Sequence, residues 1–171
     1  MIAIIDYGMG NIHSVQKALE FMGARTIVTN DPARIRECEK VVLPGVGAFG
    51  DAMAALEKQD LVALIKEHVG KRKIFLGICL GMQLIFEKSQ ESPGVKGIGI
   101  LKGEVKKFAA GKDFKVPHMG WNQLVKVKSL KSPVTSECPL LKDIEDNACV
   151  YFCHSYYGYP KDQEVTAAVT D

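Results

Sequence analysis

The sequence has no Cys-x-x-Cys pair, no run of basic residues, no internal repeat and no apolar stretch longer than a strand. Each absence removes a class of protein. Five cysteines at wide spacings (Cys38, Cys79, Cys138, Cys149, Cys153) argue against a zinc knuckle, and their odd number argues against a disulfide framework. With 22 Lys and Arg against 20 Asp and Glu and no basic cluster, the chain lacks the electrostatic footprint of a nucleic-acid binder. Without a long apolar run, or a basic segment before a cleavage site, neither a spanning helix nor a signal peptide is expected. These readings predict a cytoplasmic protein with no membrane partner, no metal and no cofactor, whose partners are small molecules or other proteins. At 171 residues and 47% hydrophobic content, the chain is sized for a single domain, residues 1–171, with its own core.

What is present begins with alternation. MIAIID reads as a buried strand, NIHSVQKALEFMG as a helix with Ile12, Val15, Leu19 and Met22 on one face, and ARTIVT as a second strand. KVVLPG is a third strand, AFGDAMAALEKQDLVALIKEHVG one or two helices, and KIFLGI a fourth strand leading into a helix, LGMQLIFEK. Apolar strands separated by helices predict a doubly wound α/β fold, with a mostly parallel sheet, helices on both faces and a site beyond the carboxyl ends of the strands. The second half, with GIGILKGEVKKF, WNQLVKV, ACVYFCHSYY and EVTAAVT, predicts shorter and partly antiparallel strands. Cys149 and Cys153 fall on one face of such a strand and read as two buried small hydrophobes.

Three of the strands empty into glycine-containing turns: DYGMGN, PGVGAFG and GICLG. GVGAFG matches the spacing of a dinucleotide fingerprint, but it follows the third strand, and the next strand ends at Cys79 where an acidic ribose ligand belongs. No nucleotide site is expected there. Gly77-x-Cys79-x-Gly81 has the spacing of a nucleophile elbow, with a thiol in place of the hydroxyl. Glycines on both sides let a strained turn press against neighbouring backbone. A cysteine at a helix N-terminus is biased toward thiolate, the Leu80 amide can donate to an oxyanion, and the turn holding Gly45 and Gly47 can supply a second donor. The combination describes an acyl-transfer site, and the elbow alone reads equally as a buried cysteine at a strand end with glycines for packing.

GICLGMQ resembles the nucleophile segment of the triad-type, class I glutamine amidotransferases. Together with DYGMGN, PGVGAFGDAM, PHMGWN and YFCHSYY, it resembles the glutaminase subunits of imidazole glycerol phosphate synthases, enzymes of histidine biosynthesis. The resemblance implies a flavodoxin-like amidotransferase fold and hydrolysis of L-glutamine to glutamate and ammonia through a thioester on Cys79. It implies Val46 and Leu80 as oxyanion donors, and Gly47, Gln83, Ser155 and Tyr156 as glutamine-binding residues. It also implies a heterodimer with a (βα)8-barrel cyclase that receives the ammonia, with Asn11, Met119, Trp121, Asn122 and Tyr151 at the interface. Trp121, the only tryptophan, is by residue type alone either an interface anchor or a plug on the core. The glycines flanking Val46 permit a peptide flip that partner binding would set.

The family also uses a His-x-Glu pair as base, and none of His13, His68, His118 and His154 is followed two residues on by an acid. His13 and His68 read as partly exposed helix residues, His118 falls in PHMGWN, which the family uses for structure and interface, and His154 is the one internal candidate for a base, with a structural role favoured. The expectation is an ordinary glutaminase seen in part. A non-catalytic docking module on the cyclase, and the glutaminase of a different synthase, are the alternatives.

Overall fold

The computed structural model describes residues 1–109, 111, 115–127 and 138–170. Four parallel strands form its main sheet: β1 (Ile2–Ile5), β2 (Thr26–Thr29), β3 (Lys40–Gly45) and β4 (Ile74–Cys79), in the order β2-β1-β3-β4. Strand β3 is buried along five of its six residues, as a continuous apolar run in the middle of a parallel sheet requires. Helices α1 (Ile12–Phe21), α2 (Pro32–Glu37), α3 (Phe49–Lys58) and α4 (Leu61–Gly70) connect these strands. The core joins Ala3 and Ile5 of β1 and Val41 and Leu43 of β3 to Ile35 of α2 and to the apolar stripes of α3 and α4. Those stripes, Phe49, Ala52, Met53 and Leu56, then Leu61, Leu64, Ile65 and His68, repeat at the spacing of one helix face. No helix among the described residues is long and apolar enough to cross a membrane.

The second half is built of two small sheets. Strand β7 (His118–Lys126) pairs antiparallel with β8 (Ala148–His154) on one side and with β10 (Ala168–Val169) on the other. Strand β6 (Leu101–Lys107) pairs parallel with β5 (Phe86–Ser89) and antiparallel with β9 (Tyr156–Pro160). ACVYFCHSYY is thus two strands from two sheets, divided at Ser155.

Several elements differ from the sequence reading. The helix expected over LGMQLIFEK is a single turn, α5 (Leu80–Gln83), after which the chain becomes β5. Pairing with β6 supplies β5 with partners for its backbone, and Phe86 enters the core, so tertiary contacts override a helix-compatible spacing. Helix α2 was not anticipated, although its start carries both usual signals, an Asp31 side chain accepting from the Ala33 amide and a proline at the first helical position. Met22 lies past the end of α1 and is 80% exposed, and Cys149 and Cys153 face solvent instead of the core.

His68 is also corrected, from partly exposed to buried at 4% exposure, with Nε2 lying 3.1 Å from the Ile74 carbonyl oxygen. Desolvation, reinforced by the nearby Lys73 and Lys71 charges, outweighs that hydrogen bond and pulls the imidazole below its ordinary value of 6.5. The unfolded chain therefore binds a proton that the folded chain refuses. This contribution to stability is full above the ordinary value of 6.5 and is lost as pH falls below it through the lowered folded-state value. A thermal melt series across that window should show the decline, and His68→Gln should flatten it by keeping a donor to Ile74 without a titrating ring.

Candidate active site

The parallel register brings two of the glycine-containing turns together. Gly45 at the end of β3 pairs directly with Cys79 at the end of β4. The side chain of Tyr7, in the first turn, closes the third side: its hydroxyl donates to the Pro44 carbonyl at 3.0 Å and is buried, which pushes its pKa up to about 12. Tyr7 thus pins the entrance of the PGVG turn to the neighbouring strand.

Cys79 has φ 54° and ψ −118°, a backbone conformation that is costly for any residue with a Cβ, at about 1–3 kcal/mol. Crowding around it explains the flanking glycines. A Cβ on Gly77 would stand 2.7 Å from the Met82 nitrogen and the Gly81 oxygen, and one on Gly45 would stand 2.7 Å from the Gly81 nitrogen. A Cβ on Gly81 would run into the carbonyl of Leu43. Three glycines therefore let the backbones of β3, β4 and α5 touch, and that contact holds the cysteine in its strained, exposed position. With only one helical turn behind it, the macrodipole expected to favour thiolate is small, because few peptide dipoles are aligned.

Cys79 opens on a cavity of about 490 Å³, within the range of small-molecule sites. Val46, Gly47, Leu80, Gln83, Ser155 and Tyr156 line it together with Cys79. Gln83 is 8% exposed and donates through Nε2 to the Tyr156 carbonyl at 3.1 Å, which ties α5 to β9. Gly47 has φ +89°, so the turn between β3 and α3 uses glycine where an L side chain is strained. A second cavity, of about 270 Å³, shares Cys79 and Gln83 and extends to Tyr151.

Seven of the residues named from the sequence (Cys79, Val46, Leu80, Gly47, Gln83, Ser155 and Tyr156) therefore share one cavity. The others lie apart from it or at its margin. Met119, Trp121 and Tyr151 form an exposed strip on the β7–β8 ribbon, Trp121 being 72% exposed and edge-on to Tyr151 with ring centroids 5.7 Å apart. At that exposure Trp121 does not plug the core. Asn122 points to the opposite face of the ribbon, with Nδ2 3.4 Å from His118 Nε2, and Asn11 caps α1 by accepting from the Ser14 amide.

Glu91 was missed by the sequence reading. Its Oε2 accepts from the Phe49 amide at 2.8 Å, while the Ser92 hydroxyl accepts from the Gly50 amide at 3.0 Å, so the two cap α3, whose own Ala48 cap has no side-chain acceptor. Glu91 also lines the large cavity and is the only carboxylate among its lining residues. Nothing local in QESPG marks this role, which arises where the segment meets α3.

No histidine among the described residues stands free beside the sulfur. His154 lines the cavity, but Nδ1 is 2.9 Å from the Tyr156 carbonyl and Nε2 is 3.3 Å from His118 Nδ1, so both nitrogens are engaged. His68 is buried against β4, and His13 is exposed on α1.

The chain is similar to named proteins along nearly its whole length. Residues 3–171 match the profile of the family described as glutamine amidotransferase class-I. It is 49% identical over 171 residues to the imidazole glycerol phosphate synthase subunit HisH of Bacillus cereus strain G9842, covering 100% of this chain and 77% of the relative. It is also 49% identical over 169 residues to the subunit of the same name from Aquifex aeolicus strain VF5, covering 98% of this chain and 77% of that one. A solved glutamine amidotransferase structure superposes with TM-score 0.68 at 12% identity, over 92% of this chain and 74% of the other. A solved Thermoplasma acidophilum protein, described as a GMP synthase subunit, superposes with TM-score 0.61 at 17% identity, over 99% of this chain and 72% of the other. At those identities the superpositions speak for the shared fold, and the closer relatives speak for the subgroup. An elbow cysteine over a small-molecule cavity and full-length similarity agree: the chain belongs to the class I glutamine amidotransferases and, within them, to the HisH subunits of imidazole glycerol phosphate synthase.

Proposed function

We propose that this chain, as a single amidotransferase domain, hydrolyses L-glutamine at Cys79 and passes the ammonia to a (βα)8-barrel cyclase for imidazole glycerol phosphate synthesis. The observation that carries the reading is the strained Cys79 backbone on a cavity that Gln83, Glu91, Ser155 and Tyr156 also line. The Cys79 thiolate attacks the side-chain amide carbon, and the amides of Leu80 and Val46 receive the negative charge on the oxygen. The carbon–nitrogen bond breaks, the nitrogen leaves with a proton as ammonia, and a glutamyl thioester remains. Water then adds to the thioester, the carbon–sulfur bond breaks, and glutamate is released. In the family pattern proton transfer belongs to a His-x-Glu pair, whereas His118 and His154 are engaged with each other.

Gln83, the Ser155–Tyr156 segment and Gly47 hold the amino-acid end of the substrate in this reading. Glu91 adds a negative charge suited to the α-ammonium group. Replacing it by glutamine keeps an oxygen for the Phe49 amide while removing the charge. The KM for glutamine should rise about tenfold or more, with kcat little changed and the melting temperature nearly constant. Steady-state glutamate release together with a thermal melt checks this.

The exposed strip of Met119, Trp121 and Tyr151 supplies the docking face for the cyclase. The second cavity supports that orientation, since it leads from Cys79 to Tyr151. A glutamate-release assay of the full chain with its cyclase tests the reading: release that requires Cys79 supports it, and its absence overturns it.

A further inference from the structure

Two histidines that take no part in the reaction above meet across the β7–β8 ribbon. His118 pairs in register with His154, and His118 Nδ1 lies 3.3 Å from His154 Nε2. The partners at either end decide where the protons sit. A carbonyl oxygen only accepts, so His154 Nδ1, 2.9 Å from the Tyr156 carbonyl, carries a hydrogen. In a ring with one proton, its Nε2 is then an acceptor, and His118 Nδ1 must donate to it. His118 Nε2 is left as an acceptor, 3.4 Å from the amide nitrogen of Asn122. Asn122, His118, His154 and the Tyr156 carbonyl thus form a chain in which every donor points the same way.

The rings have little freedom to leave it. Phe152 stacks on both, at centroid distances of 4.9 Å from His118 and 5.5 Å from His154, and Phe108 lies edge-on to His154 at 5.1 Å. The chain ends at the carbonyl to which Gln83 Nε2 donates at 3.1 Å. With one N–H of its amide committed there, Gln83 keeps Oε1 as its acceptor for substrate.

We infer that the His118–His154 pair is a positioning device for the glutamine site: it holds the Tyr156 carbonyl where it fixes the orientation of the Gln83 amide. The inference rests on the proposed role of Gln83 and adds two residues that act through it. They are positioning residues, and their loss acts on glutamine binding with little effect on the chemical step.

The test is glutamate release by the full chain with its cyclase, comparing two substitutions at one position. His154→Leu removes the donor to Tyr156 and should raise the KM for glutamine about tenfold while kcat stays within about twofold. His154→Asn sets an amide nitrogen near the place of Nδ1, so it should bring KM back to within about threefold of the unmodified protein. Should His154→Leu fail to fold, His118→Leu and His118→Asn read the same link one residue upstream, with the same order expected. Equal KM values for the leucine and asparagine variants, or a fall in kcat at unchanged KM, would overturn the inference while leaving the glutaminase reading intact. No release from the unmodified complex would overturn both.

Discussion

Replacing Cys79 by alanine abolishes glutamate release, with a fall of at least about 10⁴-fold, and leaves the melting temperature nearly unchanged. No other group in the cavity can form the thioester: Cys153 lines the wall, but it lies on β8, away from the elbow formed by β3, β4 and α5. Folding is spared because Cys79 is exposed, so little packing is lost with the sulfur. A second variant separates the backbone from the chemistry. At φ 54° alanine carries the same strain as cysteine, whereas glycine does not. Cys79→Gly should therefore be more stable than Cys79→Ala by roughly 1 kcal/mol, although both are inactive. Equal melting temperatures for the two would mean that the elbow stores no strain.

Gly81→Ala is expected to cost the fold itself. The added methyl would meet the Leu43 carbonyl in the centre of the sheet, and neither group can swing away as a flexible side chain could. Either β3 and α5 separate or the turn rebuilds, at about 3 kcal/mol or more, a large share of the stability of a domain this size. The protein should be recovered in low yield, with a melting temperature lowered by well over about 6 °C and no glutaminase activity. Gly70→Ala, at the end of α4, is the control: nothing lies within 4 Å of the added methyl, and its effect should be small. Comparable losses from both substitutions would contradict the close backbone contact on which the elbow depends.

The four strands of the first half were legible because β1, β3 and β4 are apolar runs closed by turns and β2 is a short β-branched run. The elbow was legible because its glycines stand at fixed offsets from Cys79. Both signals are local. What escaped depends on contacts between segments distant in sequence. LGMQLIFEK has helix-compatible spacing, and only the meeting of β5 with β6 ends its helix after one turn. Glu91 sits in a polar loop that resembles any other until α3 presents its unpaired amides to it. The pairing of His118 with His154 is a matter of cross-strand register, which separate strands do not declare. Other misses were avoidable. Leu61, Leu64, Ile65 and His68 share one helical stripe, so the burial of His68 was readable from its spacing, as was the capped start of α2. Cys149 and Cys153 were rightly put on one face, yet that face is the one turned away from the His118–His154 pair and toward solvent.

The most direct test of Cys79 as the glutamine nucleophile uses the exposed cysteines as internal references. The full chain is treated with a glutamine analogue carrying a chloroketone in place of the side-chain amide, and the modified residues are identified by peptide mass spectrometry. One adduct per chain is expected, on Cys79, with labelling slowed by added L-glutamine and Cys149 and Cys153 left unmodified although they too are exposed. Adducts spread over the exposed thiols, or Cys79 labelling that glutamine does not slow, would contradict it.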